Sequence, residues 1–211
     1  MADPGGCTAM SERLSFSLTW DYRCPFARIG HEHVLDGIEA GAPWDVTFVP
    51  FFLNQSHVEE GGVPAWDDPG QQSDLLSLAA GVVVRDRYPD QFLAVHRSLF
   101  TARHDGSGDL RNPKVVADAL TRGGVDAEAV LSEVEAGWPA KVIRHEHEDV
   151  VDRLDVFGVP TFILGDSAVF VRLMTRPNGD AEVARSTVDH VLGLITGHPE
   201  INEFKHTRLA L

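Results

Sequence analysis

The sequence predicts an α/β fold interrupted by an all-helical insertion. Three observations carry this prediction. A strand-like alternation lies near the start of the chain, at Leu14 to Trp20. A run of consecutive helical segments with no strand between them fills the middle. The pattern returns to strands after Gly158-Val159-Pro160. The resulting order is strand, helix, strand, helical block, hairpin, helix. That is a β-α-β unit and a β-β-α unit, which short connections and right-handed crossovers allow to share one sheet.

The first strand is the period-2 alternation of Leu14, Phe16 and Leu18 with Ser15, Ser17 and Thr19. Cys24 then fits an N-cap with Pro25 at the first helical position, where a missing N–H costs nothing. Ala27, Gly30, Val34 and Ile38 recur at helical spacing and mark the buried stripe of a helix that Gly41 and Pro43 stop. Val46 to Phe52 is the expected second strand, running into Asn54 and a polar, Gly/Pro-rich stretch through Gly70. Leu75 to Val84 follows as a helix. Pro89 opens the next, with Phe92, Val95, Leu99 and Phe100 along one face.

Asn112-Pro113 is a cap and first-turn pair before Val115, Val116 and Leu120, and Gly123-Gly124 ends that helix. Asp126 caps a short helix, and Pro139 starts a longer one through Leu154. Thr161 to Leu164 and Ala168 to Val171 then flank Gly165-Asp166, a pair suited to a tight hairpin. Asp180 caps a last helix that Gly197 ends.

Composition narrows the function classes. At 211 residues the chain is long enough for one core plus an insertion or for two small domains, and 43% hydrophobic with 24% charged is the make-up of an ordinary soluble protein. A formal net charge of −14 argues against nucleic acid as a partner. There is no apolar run of about 18 residues, so no transmembrane helix is expected. The first ten residues lack a basic n-region and an apolar h-region, so the expected compartment is the cytoplasm. With 2 cysteines, Cys7 and Cys24, no disulfide framework is being built. Cys7 lies in a Gly-rich lead and is read as an incidental exposed cysteine, with a resolving thiol as the alternative.

Cys24 is the centre of the functional reading. It sits at a strand-to-helix junction, where backbone N–H groups point at the sulfur and the helix dipole favours negative charge. A depressed thiol pKa is therefore expected. A lone cysteine in another setting is more often a small buried apolar residue. The strand-Cys-Pro-helix context and the later Gly158-Val159-Pro160 tip the reading toward a nucleophile.

Trp20-Asp21-Tyr22-Arg23-Cys24-Pro25-Phe26-Ala27, the helical insertion and Gly158-Val159-Pro160-Thr161-Phe162 together resemble the DsbA-like branch of the thioredoxin superfamily. The likeness covers nearly the whole chain from Leu14. It implies a thioredoxin-like fold with residues 11–62 and 156–211 forming a discontinuous thioredoxin-like domain and 63–155 the helical insertion. The close of the chain, His198 to Arg208, is similar to the tail of actinobacterial members linked to mycothiol-dependent reduction. By resemblance, Pro160 is the cis-proline that faces the reactive cysteine, at an X-Pro bond where a cis peptide is cheap. The same resemblance implies that the backbone of Val159 is exposed to pair with an extended substrate or thiol.

The sequence departs from the usual Cys-x-x-Cys at Ala27, which stands where the second thiol would be. Cys24 has no local partner with which to close a disulfide, so a dithiol mechanism within the motif is blocked. One-thiol chemistry remains: a mixed disulfide with a small thiol such as mycothiol or glutathione, attack on an electrophile, or oxidation to a sulfenic acid. The kappa-class glutathione transferases and hydroxychromene-carboxylate isomerases, which share the fold and use a single serine, are the second comparison.

Around Cys24, the expected substrate- or thiol-binding residues are Arg23, Pro25, Phe26, Ala27 and Val159, with Cys24 and Pro160 as the catalytic pair. Arg23 and Arg28 are candidates to stabilise a thiolate or attract an anion, against the plainer reading as solvated arginines. Trp20, Tyr22 and Phe26 are candidates for an apolar groove, with core packing as the alternative. His31-Glu32-His33 and His145-Glu146-His147-Glu148 suggest a metal site. Their histidines are two apart in expected helices and point to nearly opposite sides, whereas a helical zinc pair needs i, i+4 spacing. No metal is expected, and His31 is read as a half-buried, hydrogen-bonded histidine.

The expected function is that of a thiol-dependent oxidoreductase acting through Cys24. No tightly bound cofactor is expected, and a low-molecular-weight thiol, mycothiol or glutathione, serves as co-substrate. Its partners are then a small-molecule thiol or disulfide, with no nucleic acid and no membrane, and a homodimer is left open. A kappa-class-like thiol transferase or isomerase is the alternative, and a degenerate binding protein a third.

Overall fold

The computed structural model describes residues 13–208; Cys7 lies outside them. Strand β1 (Leu14–Trp20) leads into helix α1 (Pro25–Glu39), and β2 (Trp44–Pro50) returns parallel to β1. A short helix α2 (Leu53–Ser56) and a 3₁₀ turn (Pro69–Leu75) precede five helices. These are α3 (Leu76–Arg87), α4 (Pro89–His104), α5 (Pro113–Arg122), α6 (Ala127–Glu135) and α7 (Trp138–Leu154). The hairpin β3 (Thr161–Leu164) and β4 (Ser167–Phe170) then joins the sheet, and α8 (Ala181–Gly197) packs on α1.

The sheet order is β2-β1-β3-β4. Parallel β1 and β2 pair from Leu14 with Trp44 to Trp20 with Pro50, and β3 runs antiparallel to β1 with Leu18 opposite Phe162. The crossover between the parallel strands is α1. This is the mixed sheet of the thioredoxin fold, with a helical block between its two halves. One contiguous buried cluster joins Phe16, Leu18 and Phe162 of the sheet to Leu78, Val82, Leu99 and Leu120 of the helices.

Local chemistry explains most boundaries. Cys24, Asn112, Asp126 and Asp180 each accept a backbone N–H of the helix they precede. Pro25, Pro89 and Pro113 occupy first-turn positions. Gly41 closes the α1 turn at φ +80°, and Gly165 opens the hairpin turn at φ +57°, both conformations that side chains with a Cβ disfavour.

The second strand begins two residues before the expected Val46 because Trp44 and Asp45 still pair with Leu14 and Ser15. It ends at Pro50, after which Phe52 caps α2. The polar, Gly/Pro-rich stretch through Gly70 contains α2 and the start of the 3₁₀ turn. Both are held by short-range bonds such as Gln71 N to Asp68 O and Gln55 N to Phe52 O. Helix α7 starts at Trp138 rather than Pro139, since Gly137 at φ +78° makes the entry turn.

Candidate active site

Cys24 lies where β1 has ended and α1 begins. It is half-buried, and it is the free cysteine among the described residues. As N-cap it is extended (φ −84°, ψ 120°), and its sulfur accepts the N–H of Ala27 at 3.4 Å. The thiol donates to the carbonyl of Val159 at 3.5 Å, which ties the helix start to the segment before β3. Pro25 is exposed, Phe26 half-buried and Ala27 fully buried.

The Val159–Pro160 peptide is cis. Its position is fixed from two sides. Thr19 and Thr161 both donate to the Gly158 carbonyl, at 3.3 and 2.8 Å, and Thr161 N–H returns to Thr19 Oγ1 at 2.9 Å. On the other side, Gly30 of α1 comes so close that a Cβ there would lie 3.1 Å from Pro160 Cγ. Val159 is 2% exposed and belongs to the core, so its backbone is not presented to solvent as the resemblance implied. Its carbonyl already takes the thiol.

The charges around the sulfur are arranged differently from the expectation. Arg23 does not face Cys24. It doubles back onto the buried Asp21, with Nε and Nη2 donating at 3.2 and 3.0 Å, and its Nη1 meets Asp74 at 3.1 Å. Asp21 also accepts the backbone N–H of Arg23 and of Leu53. Arg28 is buried, bonded to Glu32 at 3.0 Å and to Asp105, and Arg176 closes this network by donating to Glu32 at 2.6 and 2.8 Å. Both candidate arginines are consumed by carboxylates, because a buried guanidinium is tolerated only when paired.

Consequently the thiol is not depressed. Burial pushes the Cys24 pKa above that of a free cysteine, outweighing the N–H groups of Ala27 and Phe26 that favour the thiolate. The Asp21 carboxylate raises it further, and Arg172 alone among the nearby cations lowers it. The N–H groups of the helix start do face the sulfur, but desolvation of the half-buried thiol outweighs them.

Of the aromatic candidates, Trp20 and Tyr22 are core residues, each 0% exposed. Tyr22 bonds His96 Nδ1 at 2.7 Å, His96 Nε2 meets His31 Nδ1 at 2.9 Å, and His31 Nε2 reaches the Thr19 carbonyl at 3.0 Å. A carbonyl can only accept, so every proton in this chain is assigned: His31 donates to Thr19, His96 to His31 and Tyr22 to His96. His31 is thus fully buried rather than half-buried, and burial holds its pKa at about 4.

His33 is buried as well and bonds the Thr175 carbonyl, because α1 is covered on both sides, by α4 and by the segment leading to α8. His147 accepts the Phe52 N–H, while His145 is exposed. Among the described residues, no group of three or more potential metal ligands is brought together.

Phe26 alone of the aromatic candidates lies at the site surface. The Arg172 guanidinium carbon stands 5.3 Å from its ring centroid and 5.9 Å from that of Phe170. Phe170 in turn packs against Phe157 at 5.2 Å, and Phe157 is 67% exposed. Asp21, Asp74, Phe157, Phe170 and Arg172 were not found from sequence. Asp21-x-Arg23 carries an Asx-turn spacing that could have been read; Arg172 follows an edge strand and carries no motif. Among the described residues no helix is long and apolar enough to cross a membrane.

Comparison with known proteins agrees with this geometry. The model of the DSBA-like thioredoxin domain matches residues 18–175. The chain is similar to Bacillus subtilis BdbD in its oxidised form, at 15% identity and a TM-score of 0.58, covering 87% of this chain and 89% of that one. It is similar to a probable DsbA oxidoreductase from Streptomyces coelicolor, at 15% identity and TM-score 0.57 over 92% and 93%. A cytosolic disulfide reductase, DsbM from Pseudomonas aeruginosa with GSH, matches at 15% identity and TM-score 0.57 over 85% and 99%. Among curated protein sequences, none matches this chain. The chain belongs to the DsbA-like thioredoxin-domain family.

Proposed function

We propose that the protein is a thiol–disulfide oxidoreductase that works through Cys24 alone and exchanges with a low-molecular-weight thiol. The observation that carries this reading is the half-buried Cys24 at the start of α1, set against the Val159–Pro160 segment, with Ala27 where a second thiol would stand. The family supports thiol–disulfide chemistry. The DsbM relative, described as a cytosolic disulfide reductase with GSH, supports a small thiol as co-substrate and the cytoplasm as the compartment.

In the first step the Cys24 thiolate attacks one sulfur of a small disulfide, RSSR. The new Cys24–SR bond forms as the S–S bond breaks, and RS⁻ leaves and takes up the proton that Cys24 lost. A second small thiolate then attacks the mixed disulfide, releasing RSSR′ and restoring Cys24. The N–H groups of Ala27 and Phe26 steady the sulfur's charge when Cys24 ionises and when it leaves. Pro25 and Phe26 frame the approach, and the buried Ala27 supplies no sulfur to resolve the intermediate.

Intact-mass spectrometry of the reduced Cys7→Ser protein, with Cys24 present or replaced by serine, after incubation with glutathione disulfide and mycothiol disulfide tests this function. An increment of one thiol moiety on Cys24, removed by added thiol and absent in Cys24→Ser, is the expected result. No adduct with either disulfide, or an adduct that persists in Cys24→Ser, would overturn it.

A further inference from the structure

We propose that Arg172 is the substrate-binding cation of this site, holding the carboxylate of an anionic small disulfide over Phe26 so that its sulfur reaches Cys24. The inference rests on the one-thiol exchange proposed above and names the class of molecule that exchange takes.

Arg172 is bound to the site by two independent routes. Its guanidinium lies over Phe26, two residues from Cys24. Its neighbour Val171 donates its N–H to the carbonyl of Pro160 at 3.1 Å, and Val159, on the other side of that proline, receives the Cys24 thiol. The segment that follows is anchored to α1 by Arg176 on Glu32, by His33 on the Thr175 carbonyl and by the Gly179 N–H on Asp36. Arg172 is therefore displayed from a fixed strand end.

Its charge is also available. Arg23, Arg28 and Arg176 each lie on carboxylates, whereas no carboxylate lies within salt-bridge distance of Arg172 among the described residues. Phe26 and Phe170 take up the cation without neutralising it, and an arginine resting near aromatic rings keeps N–H donors free for a bidentate carboxylate. Against a net charge of −14, an anion approaching Cys24 is otherwise repelled. A cation beside the sulfur reverses that locally.

The test compares second-order rates of mixed-disulfide formation on Cys24 with three probes: glutathione disulfide (anionic), bis(2-hydroxyethyl) disulfide (neutral) and cystamine (cationic). The readout is the anionic-to-neutral rate ratio, in which any change in the thiolate fraction cancels. Arg172→Gln should lower this ratio by about fivefold, the scale of a favourable exposed ion pair. Arg172→Lys should retain most of it, and Arg172→Glu should shift preference toward cystamine. A ratio in Arg172→Gln within about twofold of wild type, well short of the roughly fivefold expected, would overturn the inference while the exchange function stands. Failure of Cys24 to react with any probe would overturn the exchange function and this inference with it.

Discussion

The Cys24 thiol donates to the Val159 carbonyl at 3.5 Å across 135 residues of sequence. This bond exists only while the sulfur is protonated. Ionisation surrenders it and leaves a charge in a half-buried place, so the contact that joins α1 to the Val159–Pro160 segment also holds the thiol in its neutral form.

Alkylation of Cys24 by iodoacetamide should accordingly rise with pH at a midpoint above that of a free cysteine. Asp21→Asn removes the carboxylate that pushes the thiol up and frees part of the Arg23 charge. It should increase the alkylation rate at neutral pH while lowering stability. A wild-type midpoint well below that of a free cysteine would contradict the electrostatic reading.

Gly81 and Gly193 make a contrasting pair. A Cβ on Gly81 would come 2.5 Å from the Tyr22 hydroxyl, whereas one on Gly193 meets nothing within 4 Å. Both lie in helices, where Gly→Ala by itself gains up to about 1 kcal/mol. Gly193→Ala should raise the urea midpoint. Gly81→Ala should lower it, through a stability loss of about 1–3 kcal/mol from overpacking and loss of the Tyr22–His96 bond. Equal effects in the two variants would contradict the buried chain.

Acid should destabilise the protein through its buried histidines. Burial lowers His31 and His147 to about 4, and His96 well below its ordinary value. As pH falls from 6.5 the unfolded chain takes up these protons first, so folding stability present above pH 6.5 is lost progressively down to about pH 4. His31 and His147 each contribute up to roughly 3 kcal/mol over that window. Urea midpoints measured across it should fall steeply, and His147→Gln should flatten the fall if the variant folds. A flat wild-type profile would remove the explanation.

The strands, the caps and the Cys24–Pro25 helix start were legible because period-2 alternation and cap chemistry are local. The charge pairing was not. Arg23 belongs to Asp74 as much as to Asp21, and Arg28 to Asp105 and through Glu32 to Arg176, partners that only the folded chain brings near. Desolvation of Cys24 is likewise a tertiary property, so a helix-start rule gave the wrong sign for its pKa. His31 is fully rather than half-buried because both sides of α1 are covered, which is again a tertiary property. Arg172 lies in a stretch whose sequence carries no pattern.

Ala27→Cys should create a closable pair, since its N–H already meets the Cys24 sulfur at 3.4 Å and Cys-x-x-Cys spacing at a helix start suits disulfide geometry. The variant should lose two hydrogens on oxidation and gain the ability to reduce insulin disulfides. Ala27 is fully buried, so the added sulfur should also cost about 1 kcal/mol or more in overpacking. Free thiols that persist after mild oxidation would argue against this geometry.

Single turnover tests the one-thiol claim most directly. Reduced protein, freed of small thiols, is mixed with a peptide disulfide, and the released and protein-bound peptide are counted in wild type and in Cys7→Ser. The account predicts that one half of the disulfide is released while the other stays on Cys24 until a small thiol is added, in both proteins alike. Release of both halves without added thiol, leaving an oxidised protein with no adduct, would contradict it.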